Sequence, residues 1–499
     1  MSTLNQPDAH HQEREAGPEV PPPVPDTRPE TATTAVPAPS LGSLKRTLVL
    51  MCLVYALGML CFQAFNYVYQ AIGTAIDAGP LASMITALPG SLLGIFCFIY
   101  GGLGDFVSLR KMFVAGMVLL LVGSLGGFFL HFDNVWMVVV MRAIQTAGGQ
   151  MSGSIYLILC ARYLEGRDRV KYFGIFNAVY AAAAIVGLVC GGVLVTVGWA
   201  WLFMIPVLSV FCVPSILRGL PDGESGPSQH VDVPGFVIFG IGISLLTFFF
   251  GAYQWWVLAA AAVAFVAFAV YIHKAEQPFI TPAFFKNSRW LMAVCLLVIF
   301  YFYNHVIAPT YRSLGAGLCG MDSAQVSLLL IPAYVVWIIV ATNSGAIYTK
   351  LGRKPTALLS AGLLLAGFWV TAFVVDKGQL AIALASCVIF GGTGLVYSPY
   401  FDTVVGTVSP EESGRAVGMN DLAINVSASI GVAVFTPMMS VTAATPANNF
   451  LGVAGAAVAS SNLFLIYGLV ALVGMVFYLF AYKHITTSTE PVPGERPLE

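Results

Sequence analysis

Residues 345–354 read "GAIYTKLGRK", two glycines and three basic residues set between long apolar runs. A phosphate-cradling loop would need G-x-x-x-x-G-K-[ST] between a strand and a helix. Here Gly345 and Gly352 are seven positions apart, Pro355 follows Lys354, and both flanks are apolar enough to enter a bilayer. A second copy settles the reading. Residues 101–111 read "GGLGDFVSLRK". Aligning Gly101 with Gly345 gives each copy a glycine, a helix end and then a basic pair, Arg110–Lys111 or Arg353–Lys354.

The surroundings of both copies are those of a membrane protein. The chain has 499 residues, 58% hydrophobic and 9% charged, against about 25% charged in a soluble domain. Runs such as "MFVAGMVLLLVGSLGGFFL" (112–130) and "LFLIYGLVALVGMVFYLFA" (463–481) are as long as a spanning helix requires, about 20 residues. Apolar runs between polar breaks predict fourteen helices, over 47–73, 81–103, 112–131, 134–160, 171–196, 200–218, 234–251, 255–273, 290–311, 324–345, 356–375, 380–402, 415–441 and 462–482. Placing the N-terminus inside puts seventeen Lys and Arg, from Lys45 to Lys483, on inner loops and helix ends, and only Arg312 and Lys377 outside. By the positive-inside rule both termini are cytoplasmic.

Residues 1–44 are rich in Pro, Thr, Ala and charge, a composition expected to form a disordered tail. No signal-peptide pattern is read in it, and the adjacent His10 and His11 are not taken as a metal site. The nine cysteines form no CxxC pair and are expected to pack as small apolar residues. With its charges in short loops the chain shows no nucleic-acid patch. It shows no nucleophile–base cluster and no metal-ligand spacing, so neither an enzyme nor a cofactor is expected.

The two loop copies lie 244 positions apart (345 less 101). Six spans with short loops account for about 180 of these, leaving room for two more helices. The chain therefore divides into a tail (1–44), a six-helix half (45–220), two inserted helices (221–288), a second six-helix half (289–485) and a tail (486–499). The expected class is an all-α polytopic membrane protein built as a parallel repeat.

Polar residues within the spans mark candidate sites. Gln63, Asn66 and Gln70 share one face of the first helix; with Gln145, Asn177, Tyr303, Asn304 and Asn425 they are the candidate lining of a central substrate cavity. Phe62, Phe65, Tyr67 and Tyr69 add aromatic surface suited to bulky apolar substrates. Asp421 lies about two turns into the thirteenth span. An acid there is a candidate proton carrier, because desolvation penalises its charged form. His305 is a second proton candidate, with a hydrogen-bonded packing residue as its alternative. Asp402, at the inner end of the twelfth span, is read as solvated. Arg142 lies near mid-span and must face a partner or a wet cavity. In the first loop copy Gly101, Gly102 and Gly104 are expected to let the helix end approach the other half closely; in the second Gly345, Gly352, Arg353 and Lys354 keep the pattern. Asp105 is expected to latch the gate, through a helix N-terminus, Arg110 or Arg162. Thr349 stands where the first copy has Asp105, which predicts that the second latch lacks a charge.

These motifs resemble the major facilitator superfamily. Its loop signature, roughly G-x-L-x-D-x-x-G-x-R/K-R/K, is matched by Gly101, Leu103, Asp105, Arg110 and Lys111, with Ser108 in place of a glycine. "RAIQTAGGQ" (142–150) is similar to the fourth-span pattern R-x-x-Q-G-x-G, and "GLVCGG" (187–192) to the fifth-span antiporter motif, with Leu188 where proline is usual. "GWAWLFMIP" (198–206) and "SPEESGRAVGMNDLAINVSASIGVA" (409–433) resemble the entries to the sixth and penultimate spans. With two inserted helices the chain resembles the fourteen-helix drug:proton antiporters, which include multidrug exporters and the tetracycline-efflux K/L class. The resemblance implies an alternating-access exporter of small amphipathic molecules in the plasma membrane, exchanging them for protons and working as a monomer. It implies proton coupling at Arg142 and gating at Gly187, Gly191, Gly192, Gly352, Arg353 and Lys354. One departure is that amides stand in the first span where many relatives carry an acid. A metabolite permease not coupled to protons, and a non-transporting membrane sensor, are the alternatives.

Overall fold

The computed structural model describes residues 41–103, 107–130, 134–164, 166–220, 232–276, 278, 280, 282–408, 413–439, 449, 451–453, 455 and 457–486. Gly104, Asp105 and the tails outside 41–486 lie beyond them, as does the side chain of Asn177.

Every long apolar run is helical, as it must be where no water is available to bond the backbone. The helices are α1 (Leu41–Ala75), α2 (Met84–Leu103, entered through a 3₁₀ turn at Gly79–Ser83), α3 (Leu109–Phe129), α4 (Val135–Tyr163) and α5 (Gly166–Gly198). A 3₁₀ coil over Trp199–Cys212 then leads into α6 (Val213–Gly219). There follow α7 (Val233–Ala252), α8 (Trp255–Lys274), a short α9 (Pro282–Lys286), α10 (Ser288–Tyr301) and α11 (Ile307–Cys319). The chain closes with α12 (Ser323–Leu351), α13 (Arg353–Val374), α14 (Gln379–Val405), α15 (Ser413–Met439) and α16 (Ala457–Thr486).

Eleven stretches are individually long and apolar enough to cross a bilayer; one of them, Gly174–Gly219, runs through the fifth and sixth crossings. Adding α4 and the α10–α11 pair gives fourteen crossings among the described residues. An even number places the start of α1 and the end of α16 on one face, here called the terminal face.

The same neighbours recur in the two halves. α3 packs on α4 as α13 packs on α14, α2 on α4 as α12 on α14, and α1 on α5 as α10 on α15. The halves meet along two equivalent seams, α2 with α15 and α12 with α5. The inserted pair packs on itself, and α7 also touches both α2 and α15. A buried hydroxyl pair, Ser91–Thr247 at 3.1 Å, ties α7 to α2.

The ninth crossing departs from the single helix expected over 290–311. It breaks over 302–306, between α10 and α11. One cause is local: Pro309, in the first turn of α11, has no N–H for the His305 carbonyl and its ring crowds that carbonyl, so a continuous helix cannot run through 305. Tertiary contacts add to it. Ser427 of α15 donates to the Val298 carbonyl, 2.5 Å away. The Phe302 carbonyl presses on Gly431, where a Cβ would sit 1.5 Å from the oxygen. Irregular backbone at this depth is tolerated where protein buries it or a cavity wets it; here both hold.

Candidate functional site

The break opens on a central cavity. Asn304 and His305 line it from the break, Gln63 and Asn66 from α1, Tyr180 from α5, and Tyr334 and Trp337 from α12. The polar face of α1 is oriented by Thr86, whose hydroxyl donates to Asn66 Oδ1. α1 and α5 lie close enough for this wall to form because Gly187 and Gly191 have no side chains. A Cβ on Gly187 would lie 2.5 Å from the Leu60 carbonyl, and one on Gly191 2.9 Å from that of Ala64.

On the side away from the terminal face the cavity is sealed. Tyr67 donates to the Ser323 carbonyl at 2.7 Å, and the Tyr69 and Thr436 hydroxyls bond. Gly192 lies against Ser323, where a Cβ would come within 2.7 Å of the carbonyl. Gln70 belongs to this seal and not to the cavity, its amide donating to Met439 Sδ at 2.9 Å. Toward the terminal face a Cβ at Gly174 of α5 or Gly345 of α12 would meet nothing within 4 Å.

Three other expected lining residues lie elsewhere. Tyr303 packs edge-on to Phe368 inside the second half, with ring centroids 4.8 Å apart. Asn425 donates to the Asp421 main-chain carbonyl at 2.8 Å and packs beside Gly94 at the α2–α15 seam. Gln145 is fixed in the first half, donating to Ser124 Oγ at 2.9 Å and accepting from Arg142 Nη1 at 2.6 Å. Arg142 is 1% exposed and forms no ion pair among the described residues. Its guanidinium lies 4.2 Å from the Phe65 ring centroid and 5.7 Å from that of Phe62. Phe62 in turn meets His305 edge-on at 5.6 Å, so one ring stands between the buried cation and the cavity.

The loop copies also differ from expectation. Neither Gly101 nor Gly345 makes a close approach, since a Cβ on either would meet nothing within 4 Å. Gly352 ends α12 with φ +85°, a conformation that favours glycine. The second copy is not without charge. Arg353, 4% exposed, donates through Nε and Nη2 to Asp402 Oδ2 at 3.2 and 2.8 Å, and the Tyr348 hydroxyl donates to the same oxygen. Asp402 is therefore a partner rather than a merely solvated acid: α14 supplies the charge that Thr349 lacks. Lys354 Nζ lies 5.1 Å from the Tyr482 ring centroid. Arg110 and Lys111 occupy the first turn of α3.

Residues 51–432 match the family model of the Major Facilitator Superfamily. The chain belongs to that superfamily. The multidrug transporter protein MdtP of Bacillus subtilis is 25% identical over 420 residues, covering 79% of this chain and 76% of that protein. The multidrug efflux pump SdrM of Staphylococcus aureus is 28% identical over 349 residues, covering 66% of this chain and 75% of that one. Among solved structures, a D-xylose-proton symporter superposes with a TM-score of 0.60 at 16% identity, covering 90% of this chain and 99% of that one. A bacterial homologue of drug peptide transporters superposes at 0.62 with 13% identity, covering 89% and 100%. These two likenesses show the fold.

This major facilitator is a multi-pass membrane protein with a cavity for a small molecule. Its aromatic lining was the part hardest to read. Tyr67, expected from the first span, lines the cavity together with Tyr180, Tyr334, Trp337 and Phe390; the five come from four helices, and no one helix carries the pattern. For the rest the only local signal is the i, i+3 spacing of Tyr334 and Trp337, which puts both on one face of α12.

Proposed function

We propose that this protein exports small amphipathic molecules or drugs across the plasma membrane by alternating access, in exchange for protons, with both termini cytoplasmic. The observation that carries the reading is the cavity between the halves, lined by residues of both and closed on the side away from the terminal face by Tyr67, Tyr69 and Gly192. A site at a repeat interface is where rocking of one half against the other exposes a ligand to each side in turn. The family membership and the multidrug relatives favour drug-like cargo. Asp421 is the coupling acid in this scheme, Arg142 and His305 assist proton movement, and the loop copies gate the terminal face.

The test is efflux from proteoliposomes containing the purified full chain, with and without an imposed pH gradient. Uphill substrate movement that an ionophore abolishes is the expected result. Flux indifferent to the pH gradient would favour an uncoupled permease, and no flux across a broad drug panel would favour a sensor.

A further inference from the structure

We propose that the central cavity selects uncharged aromatic molecules carrying a hydrogen-bonding carbonyl or N–H, and discriminates against permanent cations. The inference rests on the transport reading above and names its substrate class.

The charge balance of the lining is the first ground. Among the described residues the cavity wall holds amides, an imidazole, hydroxyls and an indole, but no carboxylate and no lysine or arginine. Asp421 and Asp402 are not among the lining residues, Asp421 standing beyond Tyr180 beside Tyr55 and Tyr301, and Arg312 is half-buried with its Nε engaged by Ser323 Oγ at 2.8 Å. A permanent cation entering this space would shed water without meeting a countercharge, which is strongly unfavourable in a low-dielectric site.

Aromatic faces could offset that loss by cation–π attraction, and the ring arrangement is the second ground against it. Trp337 meets Tyr180 at 76° and Tyr334 at 84°, with centroids 6.1 and 6.0 Å apart. In such edge-to-face pairs a ring's electron-rich face is met by a neighbour's positive edge. The face so engaged in each pair is not open to a cation.

The unused hydrogen-bonding groups are the third ground. The Gln63 and Asn304 amides and the His305 ring make no hydrogen bond to any described residue, while Asn66 has given Oδ1 to Thr86 and keeps Nδ2. His305 is 8% exposed, so its ring is held in the wall. A cavity with half-buried amides on two walls rewards a ligand that bonds them and disfavours an analogue that does not.

Acridone, neutral with one carbonyl and one N–H, and N-methylacridinium, a permanent cation with neither, are fluorescent probes of similar size. Binding to the detergent-solubilised full chain and flux into proteoliposomes are measured for both. Acridone is expected to bind at least tenfold more tightly. Asn304→Asp isolates charge from shape and is expected to move the preference at least tenfold toward the cation; Gln63→Glu, on the facing wall, serves if that variant does not fold. Equal or tighter binding of N-methylacridinium by the unmodified protein overturns the inference, as does a ratio unmoved in a folded acidic variant. Failure of both probes to bind a protein that still moves other drugs also overturns it. Selective acridone binding without flux of any compound would count against the transport reading and leave the selectivity standing.

Discussion

Arg142 and Gln145, three residues apart on α4, are joined by a buried 2.6 Å hydrogen bond from Nη1 to Oε1. Nε and Nη2 of the same guanidinium have no partner among the described residues. The arginine is held by one strong bond, a 3.9 Å contact with Cys61 Sγ and the Phe65 face, with no carboxylate at hand. Gln145→Leu removes the acceptor and leaves the cation further exposed to its own desolvation. The expected loss is about 2–3 kcal/mol, read as a lower unfolding midpoint in detergent. Adding Arg142→Met should recover much of it, because both polar partners are then gone. A double variant as unstable as the sum of its parts would show that the pair does not act as a unit.

The contact between Phe302 and Gly431 leads to a sharper result. A Cβ at residue 431 would fall 1.5 Å from the Phe302 carbonyl oxygen, and backbone cannot swing aside as a flexible side chain can. Gly431→Ala should therefore cost about 3 kcal/mol or more, at or above the upper end of ordinary overpacking, and lower folded yield. Gly345→Ala is the matched control. Its Cβ meets nothing within 4 Å, so the unfolding midpoint should not fall.

The same contact marks what the sequence withheld. Fourteen crossings were legible because apolar runs of bilayer length are a local property, and the repeat because "GAIYTKLGRK" has a counterpart at 101–111. The break at 302–306 was not. Its local signal, Pro309, is masked because the apolar run continues through it, and the contacts that hold the break, with Ser427 and Gly431, lie more than a hundred positions away. Asp402 was misread for a like reason: its partner is Arg353, and nothing beside it in the chain announces a bond. Gln63 and Asn66 could be placed on a cavity face by helical spacing alone. Grouping Tyr303 with Asn304 overlooks that successive residues point about 100° apart on a helix: Asn304 lines the cavity while Tyr303 turns into the core against Phe368.

The Arg353–Asp402 pair ties α13 to α14 beside the glycine that separates α12 from α13. Asp402 is 46% exposed on its side chain, so the pair contributes little to global stability, about 1 kcal/mol or less. Its effect should fall on the gate. Asp402→Asn is expected to leave the unfolding midpoint nearly unchanged while shifting the balance between inward and outward accessibility, measured by labelling of a cysteine placed at Asn343, an exposed position of α12, in a background lacking the native cysteines. The exchange Arg353→Asp with Asp402→Arg should restore part of the balance. An unchanged labelling pattern would leave the pair a purely local tie within the second half.

Asp421 offers the most direct test of coupling. It stands within α15, half-buried, and the amide one turn on bonds its main-chain carbonyl rather than its carboxylate. The surrounding titratable groups within electrostatic reach are Tyr55, Cys97, Tyr301 and Tyr397, so the acid has no basic partner among them. Such a carboxylate can gain and lose a proton as the halves rock, without first breaking an ion pair. Asp421→Asn fixes the neutral form at nearly constant volume. Uphill efflux driven by a pH gradient should drop at least tenfold, while exchange of substrate for substrate across the membrane, which needs no net proton movement, should persist. Loss of both would point to a structural role at the α2–α15 seam. Undiminished uphill efflux would take Asp421 out of the proton path and turn attention to His305, the titratable side chain on the cavity wall itself.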